Sequence, residues 1–311
     1  MEYDLAIVGG GPAACGAAVY AARKQLKTAV IAEEVGGQSS VSETIYNWIG
    51  TKAVSGTDLA KMLREHVEEY TEGKGTLTFA VGSRVTTITK RDGGFTLECS
   101  NDTTVQARAV LVATGSRHRK LDVPGAAELD NKGIMYCATC DGPLFSGMPV
   151  AVIGGGNAAF EAAIQLSQYA DHVTLIHRND NFRADPVTIE MVKKDPKVTI
   201  IANAELTSVK GTGLVDGLTY KTKGDETDHE LAVSGIFVEI GQLPNTELVD
   251  GLAQRDELGR IVVDPYSQRT SITGIWAAGD CTDGRYHQNN IATGDAIKAI
   301  EDLYIWIKTG K

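Results

Sequence analysis

The sequence predicts an α/β protein of two doubly wound, three-layer units, each built on a parallel sheet, with the second unit inserted into the first. Three observations lead there. An apolar run, Asp4–Val8, opens onto a glycine-rich turn and then an alanine-rich segment. The same succession returns at Val150–Ile153. The segment Ala109–Gly115 (AVLVATG), late in the first half, resembles Gly235–Gly241 (GIFVEIG), late in the second. Repetition on this scale points to an internal duplication, and 311 residues suit two domains of ordinary size.

The first half reads in order. Asp4–Val8 is a short apolar strand, followed directly by Gly9-x-Gly11-x-x-Ala14. Pro12–Arg23 continues as a helix, with Pro12 and Ala13 in its first turn, and Thr28–Ala32 is the next strand. Glu33 ends that strand. Strand, glycines, helix and acid in this order form a dinucleotide-binding fingerprint: the glycines let backbone approach a pyrophosphate, the helix start offers unpaired N–H groups, and the carboxylate can accept from ribose hydroxyls. Ser55–Tyr70 reads as a helix capped by Ser55 or Thr57, with Leu59, Met62, Leu63 and Val67 on one face. Thr76–Ser100 reads as short strands turned at Gly82 and at Asp92-Gly93-Gly94.

The second half repeats the pattern with one change. Val150–Ile153 is a strand, Gly154-x-Gly156-x-x-Ala159 the turn, and Ala158–Tyr169 the helix, entered through Asn157. The following strand, His172–Ile176, ends in His177-Arg178 instead of an acid, with Arg183 a few residues on. Thr199–Thr222 alternates as strands do. The polar stretches Arg117–Pro124 and Gln242–Asn245 read as solvated chain crossings. The expected domains are therefore 1–115 with 245–311, and an inserted 116–244.

Composition narrows the function. A net charge of −10 argues against nucleic acid or an anionic membrane as the main partner. No apolar run reaches the roughly 18 residues needed to span a bilayer. The N-terminus lacks a basic region followed by a signal-like apolar stretch, so the cytosol is the expected compartment. Five cysteines are too few for a disulfide scaffold.

Two of them stand as Cys137-Ala138-Thr139-Cys140, between the two glycine turns. Such a pair can close a small ring whose disulfide exchanges readily, which suggests electrons passing between nucleotide cofactors and sulfur. The competing reading is half of a zinc site. Cys15, Cys99 and Cys281 offer no second pair at zinc spacing, and all three read as buried fillers.

Taken together, Gly9–Ala14, Gly36-Gly37-Gln38, Tyr46-Asn47-Trp48, Ala113-Thr114-Gly115, Cys137–Phe145, Val152–Asn157, Gly241–Asn245 and Ala277–Asp280 resemble the low-molecular-weight thioredoxin reductase family. The details lean towards the flavoprotein core of alkyl hydroperoxide reductase. The resemblance implies two Rossmann-like domains, with FAD at the first fingerprint (Gly9, Gly11, Pro12, Ala13, Ala14, Glu33) and NADPH at the second (Gly154, Gly156, Asn157, Ala158, His177, Arg178, Arg183). It implies that Gly279 and Asp280 hold the flavin's ribityl chain, and that Gln38, Asn47, Thr114, Gly115 and Gln288 line the flavin site. It makes Cys137 the sulfur that attacks a partner's disulfide, Cys140 the sulfur facing the flavin, and Asp141 the acid that moves the proton. The implied partner is thioredoxin or another thioredoxin-fold dithiol protein, and the implied assembly a homodimer.

Two departures bear on these expectations. Alkyl hydroperoxide reductase flavoproteins carry an N-terminal thioredoxin-like module; here the first strand opens the sequence, so that module is expected as a separate protein. Thioredoxin reductases usually show His-Arg-Arg after the second fingerprint, whereas here Asn179 follows Arg178. An NADH-using reductase of a separate peroxiredoxin-feeding module, a flavin-dependent dithiol oxidase and a nucleotide-binding redox sensor are the alternatives. The intact second fingerprint speaks against an oxidase, and Cys137–Asp141 beside a flavin site speaks for turnover.

Overall fold

The computed structural model describes residues 2–310 except Glu43, Glu72 and Lys74, so Met1 and Lys311, the ends of the expected first domain, lie outside it. The chain divides into two compact units, Met1–Arg117 with Leu243–Lys311, and His118–Gln242.

The first unit is built on a seven-stranded sheet. Four strands run parallel in the order Leu77–Val81, Thr28–Ala32, Glu2–Val8 and Thr104–Val112. The outer edge of Thr104–Val112 is shared. Its first half pairs antiparallel with Gly94–Cys99, whose hairpin partner is Val85–Arg91, and its last residues pair parallel with Ile275–Ala277. Leu5, Ile7, Ala109 and Leu111 face the helices Pro12–Arg23 and Asn289–Thr309, whose small residues Ala14, Ala18, Ala292 and Ala296 let the layers approach closely. Ala6, Val8, Val110 and Val112 face the opposite way, onto Ile88, Leu97, Leu248 and Ile261. Alternating residues of one strand thus serve two apolar layers, as expected for a sheet covered on both faces.

In the second unit five strands are all parallel, in the order Val198–Ala202, His172–His177, Pro149–Ile153, Gly235–Val238 and Ile134–Met135. Val150, Val152, Leu175 and Phe237 pack with Phe160 and Leu166 of helix Asn157–Ser167 and with Val192 of helix Pro186–Lys194. The other face is covered by a three-stranded antiparallel sheet, Ala204–Gly211, Val215–Thr222 and His229–Leu231. Thr199–Thr222 therefore splits between a parallel edge strand and this covering sheet.

In each unit the fingerprint strand lies between one strand reached by a helical crossover and another reached later in the chain. The order reverses between Glu2–Val8 and Thr104–Val112, and again between Pro149–Ile153 and Gly235–Val238. Crossovers leave such a point in opposite directions and open a crevice beyond the carboxyl ends of the strands, where ligands of open α/β sheets bind.

Local expectations were corrected in places. The helix expected over Ser55–Tyr70 runs Gly56–Glu68, and Ser55, not Thr57, caps it: its hydroxyl accepts from the Asp58 backbone N–H at 3.0 Å and donates to the Asp58 carboxylate at 2.7 Å. Leu59 and Val67 are buried and Leu63 packs against the core, but Met62 is 47% exposed, because the buried stripe of this helix is too narrow to include it. The crossing expected to be solvated over Arg117–Pro124 is not wholly so: Leu121 and Val123 pack against the second unit's core.

Candidate active site

The two fingerprint turns are built alike. Gly9 has φ +134° and Gly154 φ +155°, and a Cβ on either would collide with a carbonyl oxygen of the strand beside it, Ala113 O for Gly9 and Glu239 O for Gly154. Only glycine tolerates both the conformation and the approach. At the third position of the motif both turns are open. A Cβ on Gly11 would come no closer than 3.7 Å, to Gly37 Cα, and one on Gly156 would meet nothing within 4 Å. Gly11 and Gly156 are the N-caps of the helices Pro12–Arg23 and Asn157–Ser167, with no side chain capping either start. A helix start that no side chain caps suits an anionic ligand.

Around the first turn, the structure brings several candidates into contact. Gln38 Nε2 donates to Ser116 Oγ at 3.1 Å, and Asn47 Nδ2 to Gln288 Oε1 at 3.0 Å. Thr114 Oγ1 donates to the Asn245 carbonyl at 2.5 Å, and Asn245 Nδ2 returns a bond to the Thr114 carbonyl at 3.0 Å. The Asn245 backbone N–H adds a bond to Gly115 O, and Arg117 one to Asn245 Oδ1. Gly279 has φ +78° and is followed by Asp280, whose carboxyl makes no hydrogen bond among the described residues. Burial raises the Asp280 pKa, His287 opposes the shift, and Asp295 adds to it. Glu33 is exposed at its strand end, 3.8 Å from Arg84.

At the second turn, His177 is only partly exposed, and its ring covers Gly155, where a Cβ would strike it. Its Nε2 lies 3.3 Å from the Asn181 carbonyl. Arg178 and Arg183 are exposed, and the Arg183 backbone N–H bonds Gly155 O at 2.8 Å, tying this loop to the turn. Asn157 Oδ1 accepts from Asp185 N at 2.7 Å, so its side chain braces the same loop, and Ala158 is exposed in the first turn of the helix.

Cys137 and Cys140 form a disulfide with Cα atoms 5.3 Å apart. Cys137 caps the short turn Ala138–Asp141, which carries Cys140, and Cys137 Sγ accepts from the Cys140 backbone N–H at 3.1 Å. Ala138 is buried with Phe145 and Phe160, and Thr139 Oγ1 donates to Gln165 on the fingerprint helix at 2.9 Å. The dithiol is therefore seated on the layer that carries the second glycine turn. Asp141 is half-buried, and burial pushes its carboxyl up to about 6, into the range where a carboxyl can exchange protons near neutrality.

The other cysteines, Cys15, Cys99 and Cys281, are buried thiols, and burial pushes Cys15 up to about 12. Among the described residues no three His, Cys, Asp or Glu side chains converge on a metal-sized site, and no helix is long and apolar enough to cross a membrane. Two residues stood outside the sequence-based candidates. Asn245 ties together the two chain segments of the first unit at Thr114–Arg117, and Glu239 stands at the strand end beside Gly154. Aligning AVLVATG with GIFVEIG offered a signal for the second, since it pairs Ala113 with an acid.

Residues 3–296 match the family described as pyridine nucleotide-disulphide oxidoreductase. The fold is similar to that of thioredoxin reductase from Giardia duodenalis, with a TM-score of 0.90, 31% identity and 99% of each chain covered. The sequence is 41% identical over 297 residues to an NADH dehydrogenase of Bacillus subtilis (strain 168), covering 96% of this chain and 57% of that protein. It is 40% identical over 298 residues to the F component of alkyl hydroperoxide reductase of Escherichia coli (strain K12), again covering 96% of this chain and 57% of the relative. The chain thus spans little more than half the length of the curated relatives it matches. Paired glycine turns, a disulfide between them in sequence and a family match over nearly the whole chain have one reading: this chain belongs to the pyridine nucleotide-disulphide oxidoreductase family.

Proposed function

We propose that this chain is an FAD-dependent disulfide reductase that passes electrons from NADPH, through FAD and the Cys137–Cys140 disulfide, to a disulfide in thioredoxin or another thioredoxin-fold protein. The observation that carries the reading is the disulfide on the fingerprint layer, with a carboxyl raised to about 6 directly after it. The first unit suits FAD. Its open Gly11 position accepts backbone contact with a pyrophosphate, Glu33 stands where an adenosine ribose is read, and the Asp280 carboxyl, which makes no hydrogen bond among the described residues, suits a polyhydroxyl chain. Gln38, Asn47, Thr114, Gly115, Gly279 and Gln288 would line the remainder of that site. In the second unit, Gly154, Gly156, Asn157 and Ala158 would hold the NADPH pyrophosphate, His177 would close over the turn at Gly155, and Arg178 and Arg183 would read the 2′-phosphate.

When bound, the two nucleotides would supply two electrons to open the Cys137–Cys140 disulfide. The Cys137 thiolate then attacks one sulfur of the partner's disulfide and displaces the other, forming a mixed disulfide. Cys140 attacks Cys137 in turn, releasing the partner as a dithiol and restoring the Cys137–Cys140 bond. The Cys140 backbone N–H stabilises negative charge on the Cys137 sulfur. Asp141 supplies a proton to a departing thiolate.

The test is steady-state NADPH oxidation by the FAD-loaded protein with purified thioredoxin-fold disulfide proteins. Turnover that requires the protein acceptor is expected; oxygen consumption without NADPH would mark a dithiol oxidase instead. A second reading is favoured by the 40% identity to the F component of alkyl hydroperoxide reductase: an NADH-using reductase of a separate module that feeds a peroxiredoxin. Comparing the two nucleotides in the same assay separates the readings.

A further inference from the structure

Glu239 occupies in the second unit the place that Ala113 holds in the first. Each follows the strand beside the fingerprint strand, and each donates its backbone N–H to that strand's last carbonyl, Ala113 N to Val8 O and Glu239 N to Ile153 O, both at 2.8 Å. Each carbonyl closes over the first fingerprint glycine. The position is thus at the switch point of the sheet, where a nucleotide would enter. One unit puts a methyl group there and the other a carboxyl.

That carboxyl has no hydrogen bond or ion pair among the described residues. Burial first, and the Glu161 carboxylate second, push it up to about 8. Glu161 is exposed on the fingerprint helix. The neighbouring strands Pro149–Ile153 and Ile134–Met135 and the Gly154–Gly156 turn contain no charged residue. His177 stands over Gly155, and Arg119 approaches Gly241, with its Nε 3.9 Å from where a Cβ would be, without pairing with Glu239.

We propose that Glu239 couples pyridine-nucleotide binding to its own protonation: the nucleotide binds the form in which this carboxyl carries a proton, and stays bound to that form. The inference rests on the reading of the second unit as the nucleotide site. Pyrophosphate brings negative charge into a partly buried crevice, where an ionised neighbour repels it with little screening. A protonated carboxyl instead offers an O–H donor to a nucleotide oxygen. Linkage fixes the sign: as pH rises through the ionisation of this carboxyl in the nucleotide-free protein, affinity must fall, and binding must take up a proton.

The experiment is calorimetric titration of the FAD-loaded, oxidised protein with NADP+ from pH 7 to 10, above the pKa of about 6 typical of phosphate monoesters. Buffers of different ionisation enthalpy report the proton taken up. The dissociation constant is expected to be flat up to about 8, the value to which Glu239 is pushed, and then to rise by up to about tenfold per pH unit with uptake approaching one proton. Glu239→Gln should bind with no break and no uptake. Glu161→Gln, at an exposed position, should keep the break but move it to lower pH. A flat wild-type profile without uptake, or a break that survives Glu239→Gln, overturns the proposal while the second unit remains a nucleotide site. NADP+ and NADPH failing to bind at every pH would overturn both readings.

Discussion

The two units share a framework and differ at the ends of their strands. In both, a strand runs into a glycine pinched beneath a neighbouring carbonyl, and a helix begins at an open third position. The strand after the helix ends in Glu33 in the first unit and in His177-Arg178 in the second. The switch point holds Ala113 in one and Glu239 in the other. The backbone geometry common to both units is that of a dinucleotide-binding turn, and under the proposed function a few side chains at the carboxyl ends would choose which nucleotide is taken and in what protonation state. The dithiol belongs to the second unit alone, on the layer that presents its glycine turn.

The sharpest way to break the comparison is through that asymmetry. Cys137→Ser and Cys140→Ser should each reduce disulfide reductase activity to background while leaving both glycine turns intact. The two variants should differ in what they trap. Cys140→Ser, which keeps the attacking sulfur but lacks the resolving one, should accumulate a mixed disulfide with a thioredoxin-fold partner, visible on a non-reducing gel. Accumulation in Cys137→Ser instead would reverse the assigned roles.

The glycine turns come next. Alanine at Gly9 or Gly154 must adopt a positive φ and displace a backbone carbonyl, so each change should cost at least about 1–3 kcal/mol. If the units are equivalent in framework and distinct in ligand, Gly9→Ala should lose FAD while Gly154→Ala keeps it and loses NADPH binding. Flavin absorbance after gel filtration and nucleotide titration read the two separately. Identical losses in both variants would count against separate sites.

The framework was legible in the sequence because its causes are local. A strand, a glycine turn and a helix occupy adjacent residues, so the period of apolar residues and the glycine spacing find them without knowledge of the rest. The cap at Ser55 was narrowed to two residues for the same reason, and hydrogen-bond geometry chose between them. What was not legible depends on contacts far apart in the chain. Met62 looked apolar and in phase, but what packs against its helix decides how wide the buried stripe is. Leu121 and Val123 sit in a stretch that reads as polar, yet they find a core formed by later strands. The raised carboxyls of Asp141 and Glu239 depend on burial, which composition does not reveal.

Asp141 supplies a test of intermediate size. Its carboxyl is raised to about 6, so the protonated form persists in the folded protein at pH values where an unfolded chain has already lost that proton. Its contribution to stability is present at low pH and lost as pH rises through about 6, and its capacity to give a proton falls over the same range. Turnover with a protein disulfide should therefore decline as pH rises through about 6. Asp141→Asn should lower kcat by about 10² and remove that break. A profile unchanged by the substitution would remove Asp141 from the proton path.

The smallest expected effect concerns the end of the second strand, where the units contrast most directly. An acid such as Glu33 at this place accepts from a ribose hydroxyl and would repel a 2′-phosphate. His177-Arg178 reverses that sign, and Arg178 and Arg183 are both exposed. Two guanidinium groups can bind the phosphate through charge-assisted hydrogen bonds. His177 adds little, since its ring is turned onto Gly155. Asn179 keeps a hydrogen-bonding side chain but no charge. A hydrogen bond to a charged group contributes about 1.5–3 kcal/mol, roughly tenfold to a hundredfold in affinity. NADPH should accordingly be preferred over NADH, and Arg178→Ala should remove most of the preference, by about that factor in kcat/KM. Asn179→Arg should strengthen it by a smaller amount, because an exposed arginine on this loop is screened by solvent. The loop itself should hold its place in both variants, tied by Arg183 N to Gly155 O and by Asp185 N to Asn157. A change in kcat/KM confined to NADPH would therefore report lost phosphate contacts. An equal change for both nucleotides would report a displaced loop, and no change for either would show that Arg178 does not read the phosphate.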